Sequence, residues 1–222
     1  MLLAAFWNCA SAQVSGTLSA VSDYRYRGIT LSDRKPAAQM TVAYDDPTGL
    51  YLGAFASTVR LAFPADAHVQ GMAFGGYALR MPSGVSLEAG GNYSAFAAAG
   101  RDDYGQIFLG AATESLNARV FYAPRYFGQP SNAVYAELNA SLPLDDRVHL
   151  LAHFGILRTA YPAGYRYSTG RMFVDGRIGL GVDFSPLRLE IAWVGTSDKY
   201  AAYPLTGASS PNSVVLSMTC AF

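Results

Sequence analysis

No stretch of this chain stays apolar for long: nothing in its 222 residues approaches the ~18 consecutive residues that suggest a membrane-spanning helix. Hydrophobic residues nevertheless make up 51% of the sequence and charged residues only 14%, so the apolar side chains must be interleaved with others. Net charge is also missing, with 16 Lys and Arg against 16 Asp and Glu, which leaves no basic surplus for nucleic acid. Histidine (3) and cysteine (2) are scarce, and there is no Cys-His zinc spacing, no Gly-x-Ser-x-Gly elbow and no Gly-rich phosphate loop. His149 and His153 form the one close pair. On a strand they stand roughly 13 Å apart at ~3.3 Å per residue, too far to chelate one ion. No cofactor, no metal and no catalysis are therefore expected.

What is present is period-two alternation. From Ser213 to Phe222, Val214, Leu216, Met218, Cys220 and Phe222 share one face while Val215, Ser217, Thr219 and Ala221 share the other. Alternation bounded by turn residues predicts twelve strands, over 14–27, 37–45, 50–59, 69–80, 84–96, 104–113, 116–126, 132–142, 147–157, 171–183, 187–197 and 213–222. Connections after the odd strands are mostly long and polar, whereas those after the even strands are tight, as in Asp46-Pro47-Thr48-Gly49 and Met81-Pro82-Ser83-Gly84. The fold class expected is all-β: a transmembrane, antiparallel, up-and-down barrel of about twelve strands, with long loops at one rim and short turns at the other. A soluble sandwich or lipocalin-like barrel would show the same alternation with the apolar face inside.

Register then assigns the faces. Leu18, Tyr24, Tyr26, Met40, Met72, Phe74, Leu87, Val120, Phe154, Ile178 and Ile191 fall with the apolar set. Nearly every mid-strand charge falls on the other. The inward candidates are Asp23, Arg25, Arg27, Glu88, Asn92, Arg119, Glu137, His149, His153, Asp175, Arg177, Arg188 and Glu190. A slip of one residue would turn them all to lipid, where an Arg at the midplane costs about 2–4 kcal/mol. They are read either as a cross-barrel ladder that stiffens the lumen or as the lining of a water-filled constriction. Twelve strands lie between barrels filled by side chains and barrels that enclose a channel.

Residues 1–12 read as the end of a signal peptide, with Ala10-Ser11-Ala12 as its cleavage site and residues 13–222 as the mature barrel. The apolar stretch is short and no Lys or Arg precedes it, which suggests a start truncated upstream. Cleavage there removes Cys9 and leaves Cys220 without an intrachain partner. Phe6-Trp7-Asn8 is a poor lipobox. Arg158 to Gly170, which interleaves Tyr161, Tyr165 and Tyr167 with Arg158 and Arg166, is a candidate loop for a glycan or a lipopolysaccharide phosphate.

Ser22-Asp23-Tyr24-Arg25-Tyr26-Arg27-Gly28-Ile29 with Lys35-Pro36-Ala37, then Pro47 to Ser57, and later Tyr122-Ala123-Pro124-Arg125-Tyr126 with Tyr135-Ala136-Glu137, resemble the TorF-type porin family of small proteobacterial outer-membrane proteins. At Val69 to Tyr77 the chain departs from that family, with Gln70, Gly71 and Gly75 where acidic residues are usual. The resemblance implies a bacterial outer-membrane barrel for passive diffusion of small polar solutes. It makes Asp23, Arg25 and Arg27 a pore-lining or loop-anchoring cluster. The partners expected are outer-membrane lipid and lipopolysaccharide, small polar solutes, and the barrel-assembly machinery, which reads a terminal aromatic such as Phe222. The alternative is a closed barrel with a structural or surface-recognition role through its loops.

Overall fold

A computed structural model describes residues 13–60, 67–97, 102–161, 171–197 and 212–222. The proposed signal peptide and most of the Arg158–Gly170 loop lie outside the described residues. The strands are β1 (Gln13–Val21), β2 (Arg25–Tyr26), β3 (Ile29–Thr30), β4 (Ala37–Asp45), β5 (Leu50–Arg60), β6 (Ala67–Arg80), β7 (Ser86–Phe96), β8 (Tyr104–Ala112), β9 (Leu116–Ala123), β10 (Asn132–Pro143), β11 (Val148–Ala160), β12 (Arg171–Phe184), β13 (Leu187–Thr196) and β14 (Asn212–Ala221). All but β2 and β3 pair antiparallel with their neighbours to close a twelve-stranded barrel. The seam is β1 on β14, with Gly16 and Phe222 exchanging backbone bonds of 2.9 and 3.0 Å. Gly16 is required there, since a Cβ would run into the Phe222 ring.

The hydrophobic residues point outward. On β8, Ile107 and Leu109 are 65% and 68% exposed while the intervening Phe108 and Gln106 are buried. The same phase exposes Leu87, Val120, Phe154, Ile178, Ile191 and Leu216 on six other strands. An apolar belt around the whole barrel far exceeds the few hundred Å² that a soluble monomer exposes, so the outer face fits lipid and the soluble reading falls. The tight turns sit where turn chemistry places them. Gly49 takes φ +101° and Asp46 accepts from the Thr48 hydroxyl and backbone N–H, which holds the Asp46 carboxyl below its ordinary range.

Two expectations need correction. The first strand leaves the wall at Val21 rather than running to Arg27. Residues 23–32 instead fold back as the small β2–β3 hairpin, so Tyr24 and Tyr26 face neighbouring rings inside the barrel and not lipid. The reason is the Arg27-Gly28 pair, whose φ values of +51° and +77° make the two-residue turn that suits a twisted hairpin. On β6 the phase is the reverse of that expected: Val69, Tyr77 and Leu79 are exposed, while Met72 and Phe74 pair with Phe55 and Gly53 of β5 on the inner face. Gly53 leaves the space that the Phe74 ring occupies.

Candidate functional site

The hairpin is built around one carboxylate. Asp23 accepts from Arg25 Nε at 2.7 Å, from the Thr30 hydroxyl at 2.6 Å and, more weakly, from the Ser32 hydroxyl at 3.4 Å. The Asp23 and Arg25 side chains are 4% and 3% exposed. Such a pair is tolerable only because each partner is also hydrogen-bonded: Arg25 Nη1 donates to Gly28 O at 2.9 Å. Leu31 N donates to Tyr24 O and Tyr24 N to the Ser32 hydroxyl, which ties the two limbs together.

The tip of the hairpin seats on the far wall. Arg27 donates to Gln106 Oε1 of β8 at 2.9 Å, and its guanidinium carbon lies 4.0 Å from the Tyr135 ring centre, 4.9 Å from Tyr26, 5.2 Å from Tyr126 and 5.5 Å from Phe121. A guanidinium enclosed by ring faces is held by cation–π attraction, which is stronger once water is excluded. Gly28 lies against β12 and β13, where a Cβ would come within 2.8 Å of the Asp175 and Thr196 side chains. Nearer the stem, Arg60 N of β5 donates to Leu31 O at 2.8 Å. Leu31, Val59, Phe96, Tyr104, Phe127, Tyr135 and Leu157 pack into one buried cluster, all towards the loop rim.

Below the hairpin the lumen is charged and partly exposed. Arg119 pairs with Glu88, which also accepts from the Tyr51 hydroxyl. Arg177 pairs with Glu190, and Arg188 makes a two-pronged pair with Asp183. Nearer the hairpin tip, His153 bridges Asp175 (Nε2 to Oδ1, 2.8 Å) and Asn139 (Nδ1 to Oδ1, 2.7 Å), and the Tyr135 hydroxyl donates to Asp175. Asn139 in turn donates to Glu137. His149 lies 3.3 Å from Asp183, so the two histidines serve different carboxylates.

The filling is lopsided. On β5 to β8, inner residues of the loop half such as Ser57, Gln70, Ser94 and Gln106 are buried. On β14 and β1, the inner residues Ser213, Ser217, Thr219, Ser15, Thr17 and Ser19 are all partly exposed, as are Gln39 and Thr41 of β4, whose Ala37 and Ala43 are buried. Ser19 and Thr219 share a 2.8 Å hydrogen bond across that seam. A hydroxyl-lined strip of wall therefore reaches water from the turn rim up to the base of the hairpin.

Of the thirteen predicted site residues, Glu88, Asn92, Arg119, Glu137, His149, His153, Asp175, Arg177, Arg188 and Glu190 lie on the inner wall. Asp23, Arg25 and Arg27 also lie inside, but on the hairpin and not on the first strand. There Arg25 anchors the loop through Asp23. What the sequence reading missed is the cage: Gln106, Phe121, Tyr126 and Tyr135 are scattered over three strands and a one-turn 3-10 helix, Tyr126–Gly128. The signal available was Arg27-Gly28, an X-Gly pair between alternating segments.

Among solved structures, the chain resembles the NanC porin (12% identity, TM-score 0.60, covering 94% of this chain and 99% of that one). It also resembles a KdgM porin in complex with disordered oligogalacturonate (8% identity, TM-score 0.56, covering 95% and 99%). At these identities the likeness is one of fold, a porin-like outer-membrane barrel. No curated protein sequence matches the chain. Residues 8–221 match the family described as "Bacterial protein of unknown function (Gcw_chp)", and the chain belongs to that family.

Proposed function

We propose that this protein is an outer-membrane channel through which small polar solutes diffuse along the β14–β1–β4 wall, beside the inward hairpin. The observation that carries the reading is the lopsided filling of the lumen. Hydroxyls interspersed with Val215 and Val21 line a strip of β14 and β1 that water reaches, while the inner residues of β5 to β8 in the loop half are packed. Hydroxyl lining offers both donors and acceptors, which suits neutral or zwitterionic solutes better than a fixed charge would. The likeness to two porins and to the TorF-type hairpin motif supports the same class. Oligogalacturonate is not carried over from the KdgM porin. A polyanion calls for unpaired cations along its path, and Arg119, Arg177 and Arg188 each hold a carboxylate. No catalysis enters this reading; outer-membrane lipid and lipopolysaccharide are its surroundings, and Phe222 is its signal to the assembly machinery.

The second reading, a closed barrel acting through its loops, is favoured by the complete burial of Leu31 and Val59 beneath the loop rim. Single-channel conductance of refolded residues 13–222 in a planar bilayer separates the two. Small stable steps that are lost when Ser19 or Ser217 becomes Trp support the channel. A folded, heat-modifiable barrel that passes no current overturns it in favour of the closed barrel.

A further inference from the structure

In the charged half of the lumen, polar partners reach past their nearest neighbours. Arg119 on β9 donates to Glu88 on β7 at 2.5 Å, and Tyr51 on β5 donates to the same carboxylate at 3.2 Å. In each case a whole strand lies between the partners. Residues two strands apart start roughly 9.5 Å from one another, at ~4.8 Å per strand. To meet, their side chains must lie along the wall, over the inner face of the strand between.

What lies beneath them is glycine. Glu88, Gly110 and Arg119 form one cross-strand row, each directly opposite the next. A Cβ on Gly110 would come 2.6 Å from Glu88 Oε1 and 2.9 Å from Glu88 Cγ and Arg119 Cγ. Gly76 leaves similar room for the Tyr51 hydroxyl, but a Cβ there would also meet Ala89 O, and one on Gly90 would meet Gly75 O, both at 2.5 Å. Those two glycines are needed by the wall itself. At Gly110 the three nearest atoms all belong to side chains, so added bulk displaces the ion pair and spares the backbone. With the wall behind them, the displaced groups have only the lumen to enter. Arg119 can then turn to Glu137, directly opposite on β10, which leaves Glu88 standing in the lumen.

We propose that Gly110 is a specificity-determining residue of the passage: it gives Glu88 and Arg119 room to lie flat across β8, which holds the charged wall back and sets the width of the lumen there. This rests on the channel reading above. β9 lies opposite β1 in the ring of strands, so the space that the flattened pair leaves is the space in front of the strip of small residues.

The test compares Gly110→Ala in two refolded barrels. One is the parent, and the other carries Glu88→Ala with Arg119→Ala and has no pair left to displace. Single-channel conductance and denaturant midpoint are read for each, with and without the added methyl. Gly71→Ala is the control, since Gly71 shares the outer face of β6 with Val69 and a Cβ there meets nothing within 4 Å. The proposal predicts that Gly110→Ala lowers both conductance and midpoint in the parent and lowers neither in the double-alanine protein, while Gly71→Ala leaves conductance unchanged. An equal fall in conductance in both proteins would show that the methyl distorts the wall, and would overturn the proposal; so would an unchanged conductance in the parent. Either result leaves the channel reading standing. Absence of current in every form, with folding verified by heat modifiability, would overturn both. Should Gly110→Ala fail to fold in the parent, the comparison is made in Arg119→Ala, where no pair is broken but Glu88 is still displaced. A fall in conductance there supports the proposal, and none overturns it.

Discussion

The two halves of the lumen are made by the same strands with the same alternation, and they fill their space by opposite means. Towards the loops, a folded-back hairpin and a ring of aromatics exclude water. Towards the turns, arginines and carboxylates pair across neighbouring strands and stay partly wet. Side-chain size makes the difference. β8, β9 and β10 place Tyr104, Phe108, Phe121 and Tyr135 inward in the loop half or near mid-height, whereas the described residues of β1, β14 and β4 place no aromatic side chain inward. The hairpin rests on the bulky wall and also on β5, β12 and β13, and the strip of β14 and β1 it leaves uncovered is the proposed passage. A barrel can thus be plugged and porous at once, provided its wall is uneven.

The comparison breaks most readily in the dry half. Leu31→Ala removes a fully buried side chain from the aromatic cluster and is expected to cost about 2–5 kcal/mol, read as the shift in denaturant midpoint of the refolded barrel. A loss below about 1 kcal/mol would mean that the cluster is not the well-packed core described. Next comes Gly28→Val, which adds left-handed strain and a clash with Asp175 and Thr196, together costing roughly 2–4 kcal/mol. Trypsin should then cut after Arg27 in the variant and not in the parent.

In the wet half the effects are smaller. Glu88→Gln weakens the Arg119 pair, whose side chains are 14% and 10% exposed, and should cost about 1 kcal/mol while shifting ion preference away from cations. Reversal potential across a salt gradient measures that shift. The least effect belongs to the Asp46 turn at the rim. Its carboxyl is held low by Thr48, so the support it lends is present at neutral pH and lost as pH falls through that depressed value. Asp46→Asn should flatten this acid dependence without changing conductance.

Much of the barrel was legible because lipid outside and charge inside leave only one register for each strand. Twelve strands, the alternation of long and short connections, and ten inner-wall site residues follow from that constraint. β6 escaped it. Gln70 is its one uncharged polar mid-strand residue, and Gly71, Gly75 and Gly76 mark neither face, so Met72 and Phe74 looked as suitable for lipid as for the lumen. The hairpin escaped for a different reason. Asp23 to Arg27 alternates as well as any wall strand, and the choice between continuing upward and folding inward depends on a carboxylate satisfied by Thr30 and Ser32 and on rings from distant strands. Those are tertiary facts. Period-two pattern carries none of them.

The central claim is that water reaches the wall of small residues and not the bulky one. Thiol accessibility tests it directly. In a Cys220→Ser background, Ser19→Cys, Ser217→Cys, Ser57→Cys and Ser94→Cys are made one at a time, and each refolded barrel is exposed to a charged, membrane-impermeant thiol reagent. Ser19 and Ser217 line the strip, whereas Ser57 and Ser94 are each 2% exposed on the inner faces of β5 and β7. The account predicts rapid labelling at positions 19 and 217 and protection at 57 and 94. Labelling at similar rates at all four positions would contradict it.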